Sequence, residues 1–141
     1  MRNLLKCNTK NLALPMALAA FAPFAAAADA MMLPSGQSVT LVEVLNDGAG
    51  SEDNATRFRF LAPSISGRKA IDAELALSDI AWVCENFALP QMPTLNPKAT
   101  QIVVSLMDRD VPFGETDEDA TQYFDAFTIT NGTCELELFY D

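Results

Sequence analysis

Two stretches in the first half of the chain have the hydrophobic patterns of β-strands. Residues 39–45 form a β-branched run with apolar side chains at both odd and even positions, which predicts a strand buried on both sides. Residues 56–62 alternate strictly, with two phenylalanines on one side and Arg57 and Arg59 on the other. This pattern predicts a half-buried strand, paired with the first in a hairpin. Its two arginines are expected to face solvent, opposite acidic side chains of a neighbouring strand.

The second half of the chain contains a clear strand and a hairpin. Residues 101–107 alternate around Ile102, Val104 and Leu106, which predicts a strand with one apolar face. Asn131-Gly132 is a typical two-residue hairpin turn. The turn sets the register of the hairpin, and the expected pairs are Thr130 with Thr133, Ile129 with Cys134, and Phe127 with Leu136. In this register all apolar partners lie on one face of the hairpin. Thr128 lies opposite Glu135 on the other face.

Between these regions the pattern changes to a helical period. Residues 71–77 alternate and suggest a short third strand, after which apolar residues recur at helical spacing up to Phe87. We expect Ser78 to cap this helix and Trp82 to contribute to the core. Three prolines in residues 90–97 predict an extended linker. The expected architecture is α+β, with an antiparallel sheet of about five strands packed against one main helix.

The first 30 residues have the pattern of a secretory signal peptide. Basic residues precede an apolar run over residues 12–28, and small-x-small sites end at Ala28 and Ala30. The run is short and rich in alanine for a membrane anchor. We expect cleavage after one of these residues, with Met31 as the preferred start, and a single domain over residues 31–141. The alanine-rich leader is typical of bacteria, so the expected destination is the periplasm or the exterior.

Charge and the absence of histidine restrict the function. The chain has 9 basic residues, 19 acidic residues and no histidine. Loss of the leader would leave 6 basic and 18 acidic residues, and such a surface repels nucleic acids and anionic lipids. Without imidazole, Ser-His-Asp and Cys-His nucleophiles and the common zinc sites are excluded. No cofactor motif is present, and no membrane association is expected after signal cleavage.

Two cysteines remain once Cys7 leaves with the leader. Cys84 lies on the apolar stripe of the expected helix, and Cys134 faces inward from the expected hairpin. An even pair in an oxidising compartment predicts a disulfide that joins the helix to the sheet. Two free thiols or a redox-active pair are the alternatives, but the spacing is not Cys-x-x-Cys.

The densest polar segment is residues 108–119, which contain six carboxylates and one arginine. A Ca²⁺ loop is one interpretation, although Pro112 and Phe113 stand where an EF-hand needs Asp or Asn and Gly. A carboxylate pair for acid–base chemistry is a second. A third is a helix that begins at Thr116, with Asp119 completing a capping box.

Four segments resemble a small family of exported alphaproteobacterial proteins of unknown function. They are residues 33–37 (LPSGQ), 58–63 (FRFLAP), 84–90 (CENFALP) and 101–127 (QIVVSLMDRDVPFGETDEDATQYFDAF). The resemblance implies that Cys84, Cys134 and residues 111–116 are landmarks of the family. It implies export and a single domain, and it carries no catalytic residues.

The leading functional hypothesis is a non-enzymatic periplasmic module that contacts a protein or an envelope component. Loops held by a rigid scaffold commonly carry function. The candidate binding loop supplies Asp108, Arg109, Asp110, Phe113 and Glu115. The alternatives are a small hydrolase or lyase that uses Asp108, Asp110 or Glu115, and a Ca²⁺-stabilised domain.

Overall fold

The fold is built on one curled, six-stranded sheet. A computed structural model describes residues 28–47 and 54–138, so the signal-peptide prediction for residues 1–27 lies outside the described residues. The strands lie side by side in chain order. They are β1 (Ala30–Met32), β2 (Ser38–Asp47), β3 (Ala55–Leu61), β4 (Gln101–Met107), β5 (Gln122–Thr130) and β6 (Thr133–Leu136).

One strand pair departs from the expected antiparallel sheet. β3 and β4 are parallel, with Ala55 opposite Gln101 and Leu61 opposite Met107, whereas the other four pairs are antiparallel. The main helix lies between β3 and β4 in the chain and returns it to the end at which β3 began, as a parallel pair requires. The α+β class is confirmed, but the sheet is mixed and has six strands rather than five.

The predicted hairpin of β2 and β3 forms, with an irregularity in β2. The register shifts between Leu41 and Glu43, which leaves Val42 as an extra residue that is 38% exposed. This bulge reverses the alternation, so Leu41 and Val44 both pack against the core. The prediction of a strand buried on both sides is therefore wrong, because apolar residues of both parities serve one face.

The main helix occupies 23 residues, from Ala73 to Leu95. It comprises α1 (Ala73–Val83), a π-helical stretch (Cys84–Ala88), a 3₁₀ turn (Leu89–Gln91) and α2 (Met92–Leu95). The extended linker predicted over residues 90–97 is wrong, because Pro90 and Pro93 lie at the starts of helical segments, where a missing N–H is tolerated.

The helix begins before the predicted cap. Asp72 is the N-cap, and its Oδ1 accepts a hydrogen bond from Leu75 N at 2.9 Å. The predictions of a third strand over residues 71–77 and of a Ser78 cap are therefore wrong. Asp72 satisfies a free N–H of the first turn, which favours helix over the competing alternation.

One face of the sheet packs against the helix and forms the main core. Phe58 and Phe60 are fully buried there, and both meet Phe87 of the helix edge to face, at centroid distances of 6.2 and 5.6 Å. Trp82 is 37% exposed and does not belong to this core, contrary to its predicted role.

A buried carboxylate attaches the N-terminal segment to the helix. Asp79 is 1% exposed, and its Oδ1 accepts a hydrogen bond from Ser35 N at 3.0 Å. Its Oδ2 accepts from the Ser35 hydroxyl at 2.5 Å and from Gln37 Nε2 at 2.7 Å. Three donors therefore compensate for the burial of this carboxylate.

The C-terminal hairpin has the predicted register, including Ile129 opposite Cys134. Asn131 and Gly132 have φ of 51° and 73°, as a type I′ turn requires. The predicted disulfide is present in the structure: Cys84 and Cys134 are bonded, with their Cα atoms 6.3 Å apart. Glu85 Oε1 accepts a hydrogen bond from Cys134 N at 2.6 Å, which gives the helix a second attachment to β6.

Within residues 28–47 and 54–138, no helix combines the length and apolar character needed to cross a membrane.

Candidate functional site

The face of the sheet turned away from the helix is the candidate site, and we call it the open face. Strand alternation places Arg57 and Arg59 of β3 there, beside Val103 and Ser105 of β4 and Phe124 of β5. A small second core forms its floor, from the buried side chains of Ala55, Val103 and Ala126.

The segment from β4 to β5, residues 108–121, crosses part of the open face, and we call it the crossing loop. It is not helical, so the predictions of a helix from Thr116 and of a capping box are wrong. Asp117 Oδ1 instead accepts from Asp119 N at 2.9 Å, and Asp117 O accepts from Ala120 N at 3.2 Å. These local bonds close a turn that competes with a helical start.

The tip of the crossing loop is a tight turn that presents Phe113. Glu115 N donates to Pro112 O at 3.0 Å, and Gly114 has a φ of 85°. Proline opens the turn and glycine takes the left-handed position, which other residues rarely adopt. Phe113 is 55% exposed, whereas Val111 just before it is buried.

Arg59 holds the crossing loop against the sheet. Its guanidinium forms an ion pair with Glu43 and donates to Val111 O and to Met107 Sδ. The residue is 4% exposed, so the prediction that it faces solvent is wrong. The alternation with Phe58 and Phe60 is correct, but the crossing loop covers the face on which Arg59 lies.

Arg57 remains partly accessible beside it. Its side chain is 33% exposed and ion-paired with Asp47 of β2. The guanidinium carbons of Arg57 and Arg59 both lie 5.5 Å from the centroid of the Phe113 ring. A single aromatic ring thus interacts with two cations, and this restricts where Phe113 can lie.

A cavity of about 180 Å³ lies between the crossing loop and the strands. A second depression, of about 280 Å³, continues along the sheet and shares Arg57, Val103 and Phe124 with the first. Phe124 is 60% exposed. The result is a shallow groove with an apolar floor, lined by Arg57 and by the exposed rings of Phe113 and Phe124.

Asp108 anchors the base of the crossing loop. Its Oδ1 accepts from Thr121 N at 3.0 Å, and Asp108 N donates to Thr121 O at 3.0 Å. Arg109, which donates to both carboxylate oxygens at 3.2 Å, is the main cause of a lowered pKa of Asp108, and Ser66 and Thr121 add to it. The same contact raises the pKa of Arg109. Asp108 is thus ionised and engaged within the fold.

The five residues of the candidate binding loop do not all line the same cavity. Phe113 and Glu115 line the groove, whereas Asp108, Arg109 and Asp110 do not. The carboxylates are thus not gathered in one concave site. In the part of the chain that the structure describes, no group of three His, Cys, Asp or Glu side chains is placed to hold a metal ion.

Sequence reasoning missed the strand residues of the groove. Alternation in β3 predicts that Arg57 and Arg59 face solvent. The predicted hairpin reaches back only to Phe127, whereas β5 begins at Gln122 and so includes Phe124. The expectation that acidic side chains of a neighbouring strand lie opposite the two arginines is correct, since Asp47 and Glu43 of β2 pair with Arg57 and Arg59.

Fold and site together define a small α+β domain with one sheet face on a helix and the other partly covered by a loop. Residues 15–139 match the family of unknown function DUF6497, and the chain belongs to this family. The resemblance to a family of unknown function is therefore confirmed. No curated protein and no solved structure matches the chain.

Proposed function

We propose that this chain is an exported, non-enzymatic protein-binding domain whose binding surface is the groove of the open face. The observation that carries the proposal is the exposure of Phe113 and Phe124, at 55% and 60%, although both line one groove. Interfaces are enriched in aromatic residues and arginine, and Arg57 lines the same groove as these two rings.

The way in which Phe113 is held also supports binding. Its loop is anchored at the base by Asp108 and along its length by Arg59. Phe113 lies over Arg57 and Arg59, yet it remains 55% exposed, so the fold holds an accessible aromatic ring in a fixed place. An ordered apolar side chain on a rigid support loses little conformational entropy on binding.

Charge favours a protein over other envelope components. The chain has ten more acidic than basic residues, so nucleic acids and anionic lipid surfaces would be repelled. A carboxylate-based hydrolase or lyase has less support, because Glu115 is the only carboxylate of the candidate loop that lines the groove.

Export, as part of the proposal, rests on the leader pattern of residues 1–30 and on the pairing of Cys84 with Cys134. Ala30 of β1 pairs with Thr40 of β2, so cleavage after Ala28 would leave β1 complete. The intact mass of the exported protein tests this. A mass beginning at Asp29 or Met31 supports export, and a mass that retains the leader contradicts it.

The binding proposal is tested by quantitative affinity capture from a periplasmic extract. We expect a defined set of proteins on the wild-type domain that is lost with Phe113→Ser/Phe124→Ser. The matched control is Trp82→Ser, which removes an exposed aromatic ring from the helix on the other side of the sheet. Equal capture by the double variant and the wild type would contradict the proposal.

A further inference from the structure

Within residues 28–47 and 54–138, the outer edge of β5 is only partly paired. β6 pairs with residues 127–130 of β5, and Glu137 N adds one bond to Ala126 O at 2.9 Å. Among the described residues, no strand pairs with the first four residues of β5, 122–125, on this side. Uncovered edge strands offer their backbone groups to another chain.

Hydrogen-bond alternation shows which backbone groups lie on this edge. Ile129 N donates to Thr100 O, on the β4 side, whereas Ala126 O accepts from Glu137 N on the outer side. Odd-numbered residues of β5 therefore bond towards β4 and even-numbered residues point outward. The N–H and C=O groups of Gln122 and Phe124 thus face away from β4.

The edge formed by residues 122–125 adjoins the groove of the open face. Gln122 and Phe124 both line the cavity with their side chains, while their backbones form the edge. A chain that paired with this edge would direct alternate side chains to the open face, beside Phe124. Edge and groove together therefore form one continuous surface.

The segment leading into β5 is strongly acidic. Its four exposed carboxylates are Glu115, Asp117, Glu118 and Asp119. Among the described residues, none of the four is in a salt bridge. A partner with basic side chains would complement this charge.

We propose that the partner of this domain binds as an extended, basic polypeptide segment that adds a strand to residues 122–125 of β5. Backbone hydrogen bonds to Gln122 and Phe124 would hold it, and an apolar side chain would enter the groove beside Phe124. This inference rests on the proposed function of the open face, and it names the kind of partner.

The test uses a fluorescein-labelled heptapeptide that alternates lysine and valine, with phenylalanine at the centre, and fluorescence anisotropy with the leaderless chain. We expect binding, and at least about tenfold weaker binding of the same peptide with alternate backbone amides N-methylated. A peptide with glutamate in place of lysine should bind more weakly than the parent peptide, by a similar factor. No binding of the parent peptide at about 1 mM, or equal binding of the parent and N-methylated peptides, would overturn the proposal.

A variant of the edge gives a second, independent readout. Gln122→Pro removes an outward N–H at the first residue of β5, where proline is tolerated. We expect at least about tenfold weaker peptide binding, against less than about twofold for Gln122→Ala. If Gln122→Pro does not fold, the N-methylated peptide alone decides.

Two further outcomes would assign the edge to a different occupant and overturn the proposal. If a chain truncated after residue 138 binds the peptide at least about tenfold more tightly than the full-length leaderless chain, residues 139–141 occupy the edge. A wild-type dimer that Gln122→Pro abolishes would indicate a second copy.

Failure here is distinguishable from failure of the proposed function. If capture depends on Phe113 and Phe124 but backbone methylation has no effect, strand addition is wrong and the binding surface stands. If capture does not depend on them, the proposed function fails.

Discussion

Arg57 and Phe113 interact across the open face, with the guanidinium carbon 5.5 Å from the ring centroid. Arg59 lies at the same distance from the same ring, although it is buried and Arg57 is partly exposed. Arg59 joins the loop to the sheet through Val111 O, and Phe113 lies over both arginines. The exposed aromatic ring is therefore held in place partly by Arg59, the residue that attaches the loop.

Replacement of Phe113 by alanine should lower the free energy of unfolding by about 1–2 kcal/mol, because two cation–π contacts of about 0.5–1 kcal/mol each are lost. Urea denaturation measures the difference. Phe124→Ala is the control; it removes an exposed ring outside both cation–π contacts and should change stability by less than about 0.5 kcal/mol. Equal stability of the Phe113→Ala variant and the wild type would show that the ring does not hold the loop.

Asp108 should make the anchoring of the crossing loop dependent on pH. Arg109, Ser66 and Thr121 lower the pKa of Asp108 from its ordinary value of 3.8, so the fold favours the ionised form. Its contribution to stability is full above about pH 4 and is lost as the pH falls through the lower pKa of the folded state.

Asp108→Asn should therefore destabilise the protein at pH 7, and its difference from the wild type should shrink as the pH falls below 3.8 and through the lower pKa of the folded state. Thermal unfolding across this range measures it, with the exposed Asp110→Asn as the control. A difference between Asp108→Asn and the wild type that is constant with pH would contradict the role assigned to the Asp108 carboxylate.

Loss of the disulfide should be among the most damaging single changes. Cys84 and Cys134 are 50 residues apart in sequence, and closing a loop of this length stabilises a chain by about 4 kcal/mol. Cys84→Ser should lower the melting temperature by several degrees for each kcal/mol lost, roughly 4–8 °C. Reductant should have the same effect on the wild type and little effect on the variant; two free thiols in the unreduced, denatured wild type would disprove the bond.

Replacement of the buried Asp79 should also destabilise the fold strongly. Asp79→Ala would leave Ser35 N and the Gln37 side chain without their partner, at a cost of about 3 kcal/mol. Ser78, one residue earlier, is exposed and does not cap the helix. Ser78→Ala should therefore change stability by less than about 0.5 kcal/mol. Chemical denaturation of both variants tests the pair, and a similar loss in each would contradict this assignment.

Local pattern predicted those parts of the fold whose partners are close in sequence or share one face. The register of the hairpin around Asn131 follows from its turn, and the disulfide follows from the inward faces that this register gives. The parallel pairing of β3 with β4 depends on how the helix returns the chain, which hydrophobic pattern does not determine. Residues 71–77 alternate with a period of two, which predicts a strand where α1 begins. Leu75 and Leu77, which produce this alternation, are exposed on the helix.

The site was only half predictable for a similar reason. The density of polar groups predicts a site in residues 108–119, but within it Asp108 anchors the loop and Phe113 lines the groove. The burial of Arg59 arises from a loop about 50 residues further along the chain. Alternation within β3 gives the face on which Arg59 lies, but not what covers that face.

Site-specific photo-cross-linking in living cells tests the central claim most directly, that the open face is a protein-binding surface. A photoreactive phenylalanine would replace Phe113, or Phe124, or Trp82, which is an exposed aromatic residue of the main helix. We expect one defined covalent adduct with another protein from positions 113 and 124, and none from position 82. The absence of any adduct from 113 and 124, or the same adducts from all three positions, would contradict the claim.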